Sequence, residues 1–226
     1  MAAKMSKKEL KNPDAFQSTF ERLGDYAAAN KTLVTVVFTA FLCAILVVAG
    51  IYFYWNHYST SALKLYVKTQ ENIITGGETK EVMEENARIF NQLIKEYPHS
   101  WSGRLAHYHL GNIEYNNGEY DLAISSYKKF VKKAGSDKTG VKFLALTSMG
   151  YAYEAKKDFA EALKCYERAE KVWKTGFEAL CLQNIARAHE ELNNREKALE
   201  YYKKAFEKTT EPAAVISLKR KIAALS

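Results

Sequence analysis

Five histidines and three cysteines hold the side chains readiest for metal ligation, proton transfer or thiol chemistry. The histidines, His57, His99, His107, His109 and His189, are scattered. Only His107 and His109 stand close, and a spacing of two on a helix sends the rings to different faces, a poor metal pair. No Ser-His-Asp or Cys-His grouping, glycine-rich phosphate loop or metal-ligand spacing emerges, so the sequence points away from an enzyme and calls for no cofactor. Cys43 sits among apolar residues, as a small membrane residue would. Cys165 and Cys181 fall on neighbouring helical segments. That placement allows a disulfide in an oxidising compartment, or two separate buried thiols.

The elements that would position these residues show in a recurring pattern. Leu110-Gly111, Met149-Gly150 and Ile185-Ala186 each precede a second small residue, Ala123, Ala162 or Ala198, by twelve positions. Four residues on comes Tyr127, Tyr166 or Tyr202, and three further on Phe130, Ala169 or Ala205. Copies 39 and 36 residues apart are the mark of a helical-repeat array. Arrays of this kind bind other chains and seldom do chemistry. Pro98 and Pro212 sit at the ends of helical stretches and glycines punctuate the rest, with no alternating strand pattern. The paired small residues are points of close approach between helices, where a larger side chain would wedge them apart.

Upstream, residues 33–54 contain no charged side chain. A helix of those 22 residues spans about 33 Å against a bilayer core of about 30 Å. Tyr52, Tyr54, Trp55 and Tyr58 crowd one end, as a membrane interface selects. The stretch is too long and begins too far in for a cleaved signal peptide, so an uncleaved single-pass anchor is expected.

Residues 1–31 hold six cations, Lys4, Lys7, Lys8, Lys11, Arg22 and Lys31, and the next cation after the apolar stretch is Lys64. The positive-inside rule keeps this arm in the cytoplasm and exports the repeats. The part beyond the arm carries 27 Lys+Arg against 22 Asp+Glu. Lys128-Lys129, Lys132-Lys133, Lys156-Lys157 and Lys203-Lys204 alternate with acids, so they read as solvated helix faces and not as a nucleic-acid surface. Within the arm Asn12, Pro13 and Asp14 can start a helix. Phe16, Phe20, Leu23 and Ala27 then form one apolar stripe, suited to lying on the inner leaflet, to docking on a membrane partner, or to a plain linker.

These positions resemble the tetratricopeptide repeat. Leu110, Gly111, Gly118, Tyr120, Ala123, Tyr127 and Phe130 fit one repeat over about 104–137. Met149, Gly150, Tyr153, Phe159, Ala162, Tyr166 and Ala169 fit a second over about 143–176. Ile185, Ala186, Ala198, Tyr202, Ala205 and Pro212 fit a third over about 179–212, with Arg195 where the turn aromatic belongs. Phe90, Leu93 and Pro98 fit the second helix of a degenerate repeat over about 60–100, and a capping helix follows over about 213–225. The fold implied is all-α: a cytoplasmic arm over 1–31, a single transmembrane helix over 32–56, then an α-solenoid over 57–226.

In such a solenoid the first helices line the concave side. The resemblance therefore places Tyr108, Asn112, Tyr115 and Asn116, then Thr147, Tyr151 and Glu154, then Gln183, Arg187 and Glu190 in a groove for a protein partner. Tyrosines give broad rigid contact and amides can bond a passing backbone; the same tyrosines could equally pack against neighbouring helices. Repeat proteins that grip a chaperone's C-terminal carboxylate resemble one another in a lysine at the position held here by Tyr108, Thr147 and Gln183, which argues against that role.

The whole layout, with an anchor ending in Tyr54-Trp55-Asn56 and a closing helix carrying Lys221, Ile222 and Leu225 after Pro212, resembles the ancillary SecYEG translocon subunit family of bacterial inner membranes. That resemblance implies a single-pass protein beside the SecYEG channel, with a membrane-anchored periplasmic chaperone and emerging secreted chains as partners. It implies no small-molecule substrate. A periplasmic adaptor for envelope assembly is the other reading of the same repeats.

Overall fold

The computed structural model describes residues 15–135, 139–172 and 176–226. Among these residues it holds ten helices and no strand. They are α1 (Ala15–Ala29), α2 (Lys31–Gly76), α3 (Lys80–Glu96), α4 (Trp101–Asn116), α5 (Tyr120–Lys133), α6 (Val141–Ala155), α7 (Phe159–Val172), α8 (Glu178–Glu191), α9 (Arg195–Lys208) and α10 (Pro212–Leu225). The chain divides into two units, Met1–His57 and Tyr58–Ser226.

In the first unit α1 carries Phe20 and Leu23 exposed; Asn12, Pro13, Asp14 and the Phe16 side chain lie outside the described residues. The helix α2 is long and apolar enough to cross a membrane, and none of its most apolar window is buried within the chain. Thr35 Oγ1 donates to the Lys31 carbonyl and Thr39 Oγ1 to that of Thr35, each at 2.8 Å, so these two hydroxyls need no water.

In the second unit each helix from α3 to α10 packs on the next. Residues 58–76 of α2 pair with α3: Ala62 is buried with Ile89, Phe90 and Leu93. Asn86 bridges the pair, accepting from Asn72 at 2.8 Å and donating to the Thr69 carbonyl at 3.1 Å. The helix α4 starts under its cap Ser100, whose Oγ accepts from the Gly103 amide at 2.9 Å.

The three repeats α4/α5, α6/α7 and α8/α9 turn alike. At each turn a left-handed residue, Gly118, Lys157 or Asn193, follows the first helix. The next amide reaches five residues back: Glu119 to the Glu114 carbonyl (2.8 Å), Asp158 to Tyr153 (2.9 Å) and Asn194 to His189 (2.8 Å). This satisfies carbonyls that the helix end leaves open. Within each pair a tyrosine of the second helix lies over a small residue of the first. A Cβ on Gly111 would come within 2.7 Å of the Tyr127 ring, and one on Gly150 within 2.3 Å of Tyr166. In the third pair Ala186 and Tyr202 are buried in one cluster. Tyr127, Tyr166 and Tyr202 are among the largest fully buried side chains, which explains the small residues sixteen positions before them.

Cys165 and Cys181 are both buried and both free. The Cys181 thiol is engaged instead by the Tyr166 carbonyl at 3.3 Å, and burial pushes the two thiols up, to about 11 and about 12.

Candidate functional site

The first helices of the repeats bring most of the expected groove residues together in two adjoining hollows. One, of about 310 Å3, is lined by Tyr108, Asn112, Tyr115 and Asn116 from α4, Tyr127 from α5, and Ser148 and Tyr151 from α6. The second, of about 320 Å3, shares Tyr115 and Tyr151 and adds Glu154, Ala155, Phe159, Arg187 and Glu191.

Position along the helix decides what each residue does. Asn112 follows Gly111, so the Tyr127 ring that lies over the glycine brings its hydroxyl to the groove, where it donates to Asn112 Oδ1 at 2.8 Å. Burial raises the Tyr127 phenol far above the usual range, so it stays a neutral donor. Tyr108 packs its ring against Tyr127 and Phe130, with centroids 6.1 and 5.9 Å away. It is therefore both a core contact and part of the hollow's wall. Tyr151 accepts at its hydroxyl from Asn184 Nδ2 at 3.0 Å, tying α6 to α8.

The second hollow is spanned by an ion pair. Arg187 Nε and an Nη donate to the two Glu154 carboxylate oxygens at 3.1 and 2.9 Å. The guanidinium also stands 5.7 Å from the Tyr151 ring centroid. Burial alone would lower the Arg187 pKa, but the Glu154 carboxylate outweighs it and raises it. A similar contact recurs one repeat on, where Lys221 of α10 reaches both Glu190 oxygens at 2.9 Å and Tyr202 OH donates to the same carboxylate at 2.7 Å. Burial favours the protonated acid there, yet these donors hold the Glu190 carboxyl below its ordinary value.

Three expected groove residues stand apart. Thr147 is buried at 5% exposure; it occupies the repeat position of Tyr108 with a side chain too short to reach the surface. Gln183 is half-buried and lines neither hollow. Glu190 is held by Tyr202 and Lys221 and lines neither hollow. Sequence reasoning gave Tyr127 and Phe159 only as positions of the repeat motif, and did not place them, Ser148 or Glu191 in the groove. The signal for Tyr127 was its hydroxyl, the polar end of the motif's second-helix aromatic, which reaches Asn112 in the groove.

Of the histidines, His107 is buried against Lys133, Nζ to Nε2 3.2 Å. His109 stacks on Phe90 at 5.3 Å and meets Tyr66 OH at 3.0 Å. Burial pushes both down to about 4, with Lys133 and Lys129 adding to the effect at His107. His107 thus packs within the α4/α5 repeat, and His109 packs α4 against the preceding helices. No group of three metal-binding side chains forms among the described residues.

The comparisons agree with this architecture. Models of the tetratricopeptide repeat match residues 86–138 and 142–211. No curated protein matches the chain. Among solved structures, the MamA protein is 18% identical with a TM-score of 0.58, covering 74% of this chain and 81% of that one. A putative kinesin light chain of Podosopora anserina with nearly identical TPR-like repeats is 13% identical with a TM-score of 0.58, covering 74% and 86%. At these identities the likeness is one of fold. No catalytic family is indicated, and such repeats make a protein–protein interaction scaffold. Paired helices, turns and small-residue contacts thus recur where the repeat models match, and the chain is a tetratricopeptide-repeat protein.

Proposed function

We propose that this chain is a membrane-tethered scaffold that accompanies the bacterial Sec protein-conducting channel. In this reading residues 33–54 cross the inner membrane, the N-terminal arm stays in the cytoplasm, and the repeats stand in the periplasm. There they engage a membrane-anchored chaperone and emerging secreted chains. The observation that carries the tether is the helix α2, whose uncharged stretch is long enough to span a bilayer and exposes its apolar side chains throughout. The observation that carries the scaffold is the aromatic and amide-lined inner face of α4 and α6.

Crosslinking from photoreactive residues placed along 33–54 in native membranes tests it. Capture of a channel subunit is expected, and replacing residues 1–55 by an unrelated anchor abolishes it. Retention of every partner after that swap indicates a periplasmic adaptor instead. Digestion of the repeats by external protease in spheroplasts is expected; full protection rejects the export.

A further inference from the structure

The hollow between α4 and α6 has an unusual balance of donors and charge. Its walls are four phenols, Tyr108, Tyr115, Tyr127 and Tyr151, with two amides and a serine, and it contains no charged side chain. Of the charges in the adjoining hollow, Glu154 is matched by Arg187. An acidic or basic ligand therefore finds no free counter-charge in it. Asn112 has its amide oxygen occupied by the Tyr127 hydroxyl, so what it offers the hollow is its NH2 group. Tyr127 is buried and gives the hollow only its hydroxyl end, so the aromatic surface on offer is that of the half-buried Tyr108, Tyr115 and Tyr151.

Shape narrows the choice. A helix about 10 Å across fills the hollow's volume of about 310 Å3 in less than one turn of about 5.4 Å. A helix can rest across the mouth, and an extended chain can enter. A strand would bring an amide N–H at every residue, and with no sheet edge here these would meet only the scattered side-chain oxygens of Asn116, Ser148 and the tyrosines. A polyproline II segment brings the reverse: no N–H at its prolines, solvated carbonyls that seek donors, and flat rings that pack on aromatic faces at low entropic cost.

We infer that the hollow lined by Tyr108, Asn112, Tyr115, Tyr127 and Tyr151 binds an uncharged, proline-rich segment of a partner polypeptide in the polyproline II form. This rests on the reading of the groove as a protein-binding surface and names the class of segment it selects. The pyrrolidine rings lie between the phenols, and the segment's carbonyls accept from Asn112 and from tyrosine hydroxyls.

The full chain in detergent micelles, titrated by fluorescence anisotropy with an uncharged proline-rich peptide, tests the inference. The expected result is saturable binding that changes little with salt. It weakens about tenfold with Tyr115→Ala or Asn112→Ala, a loss of about 1.4 kcal/mol, and with alanine in place of the peptide's prolines. Tyr127→Phe keeps the core ring and releases the Asn112 amide, so it also weakens binding while the melting temperature holds. Lys203→Ala, on an exposed face of α9, leaves binding unchanged. Equal affinity for the alanine peptide, tighter binding of an acidic peptide or an amphipathic helix, or indifference to Asn112→Ala and Tyr127→Phe overturns the inference. If the peptide fails while anchor crosslinks to the channel persist, only this inference falls. If the crosslinks fail while the peptide binds, only the channel reading falls.

Discussion

Arg187 and Glu154 meet fork to fork across the junction of the second and third repeats, through two hydrogen bonds of 3.1 and 2.9 Å. Bidentate geometry is what lifts an ion pair above the small value of exposed ones. The Glu154 side chain is 17% exposed and the Arg187 side chain 37%, so solvent still screens part of it. Arg187→Ala is expected to cost about 1–2 kcal/mol, read as a melting temperature lower by a few degrees. Arg187→Lys recovers only part of that, because an ammonium cannot reproduce the fork. A double-mutant cycle with Glu154→Gln that shows no coupling would rule out the pair as a brace between repeats.

Gly150 makes a tighter contact with its partner helix than Gly111 does, with the Tyr166 ring 2.3 Å from where a Cβ would stand. Tyr166 is fully buried and has little room to retreat. Gly150→Ala is expected to destabilise the chain by about 1–3 kcal/mol in denaturant titration, against the usual gain of alanine in a helix. Gly111→Ala, where the clash is 2.7 Å, costs less. An increase in stability for Gly150→Ala would contradict this packing.

The repeats were legible because their spacing answers a core constraint: Gly111, Gly150 and Ala186 must be small where Tyr127, Tyr166 and Tyr202 cross them. The family resemblance supplied the inner-face positions, and the structure brings seven of those ten side chains to the two hollows. What sequence could not supply depends on neighbours far along the chain. Thr147 holds a groove position by spacing, yet its short side chain ends inside the core. Glu190 looked available until α10 brought Lys221 to it. The left-handed turns at Lys157 and Asn193 carry no glycine to announce them, and only the repeat register, with Gly118 in the matching place, marks them.

His107 and His109 make the fold sensitive to acid. Burial holds both rings neutral, with folded-state values near 4, whereas an unfolded histidine takes up a proton near 6.5. Unfolding therefore binds protons below pH 6.5. Stability is complete above that value and falls as pH drops toward 4, by a total of roughly 1–4 kcal/mol. His109→Gln removes one of the two groups, and its unfolding free energy should decline less steeply between pH 6.5 and 4.5. A curve parallel to that of the unaltered chain would show that the ring does not titrate on unfolding.

The helix α10 covers the third repeat. Leu218 of α10 is 1% exposed and packs in one cluster with Leu182, Ala198, Tyr202 and Ala205. Arg195 occupies the place of the turn aromatic and donates to the Leu225 and Ala224 carbonyls at 3.0 and 3.3 Å, tying down the end of α10. An uncapped repeat would leave that apolar face in water. Leu218→Ala is expected to cost about 2–4 kcal/mol, whereas Ile216→Ala, at a position 57% exposed, costs little. Because repeats are coupled mainly to their neighbours, the loss should be local. Hydrogen exchange in the Leu218→Ala chain should accelerate first in α8 and α9 and leave α4 and α5 protected. Uniform acceleration along the chain would show instead that the array unfolds as a single unit.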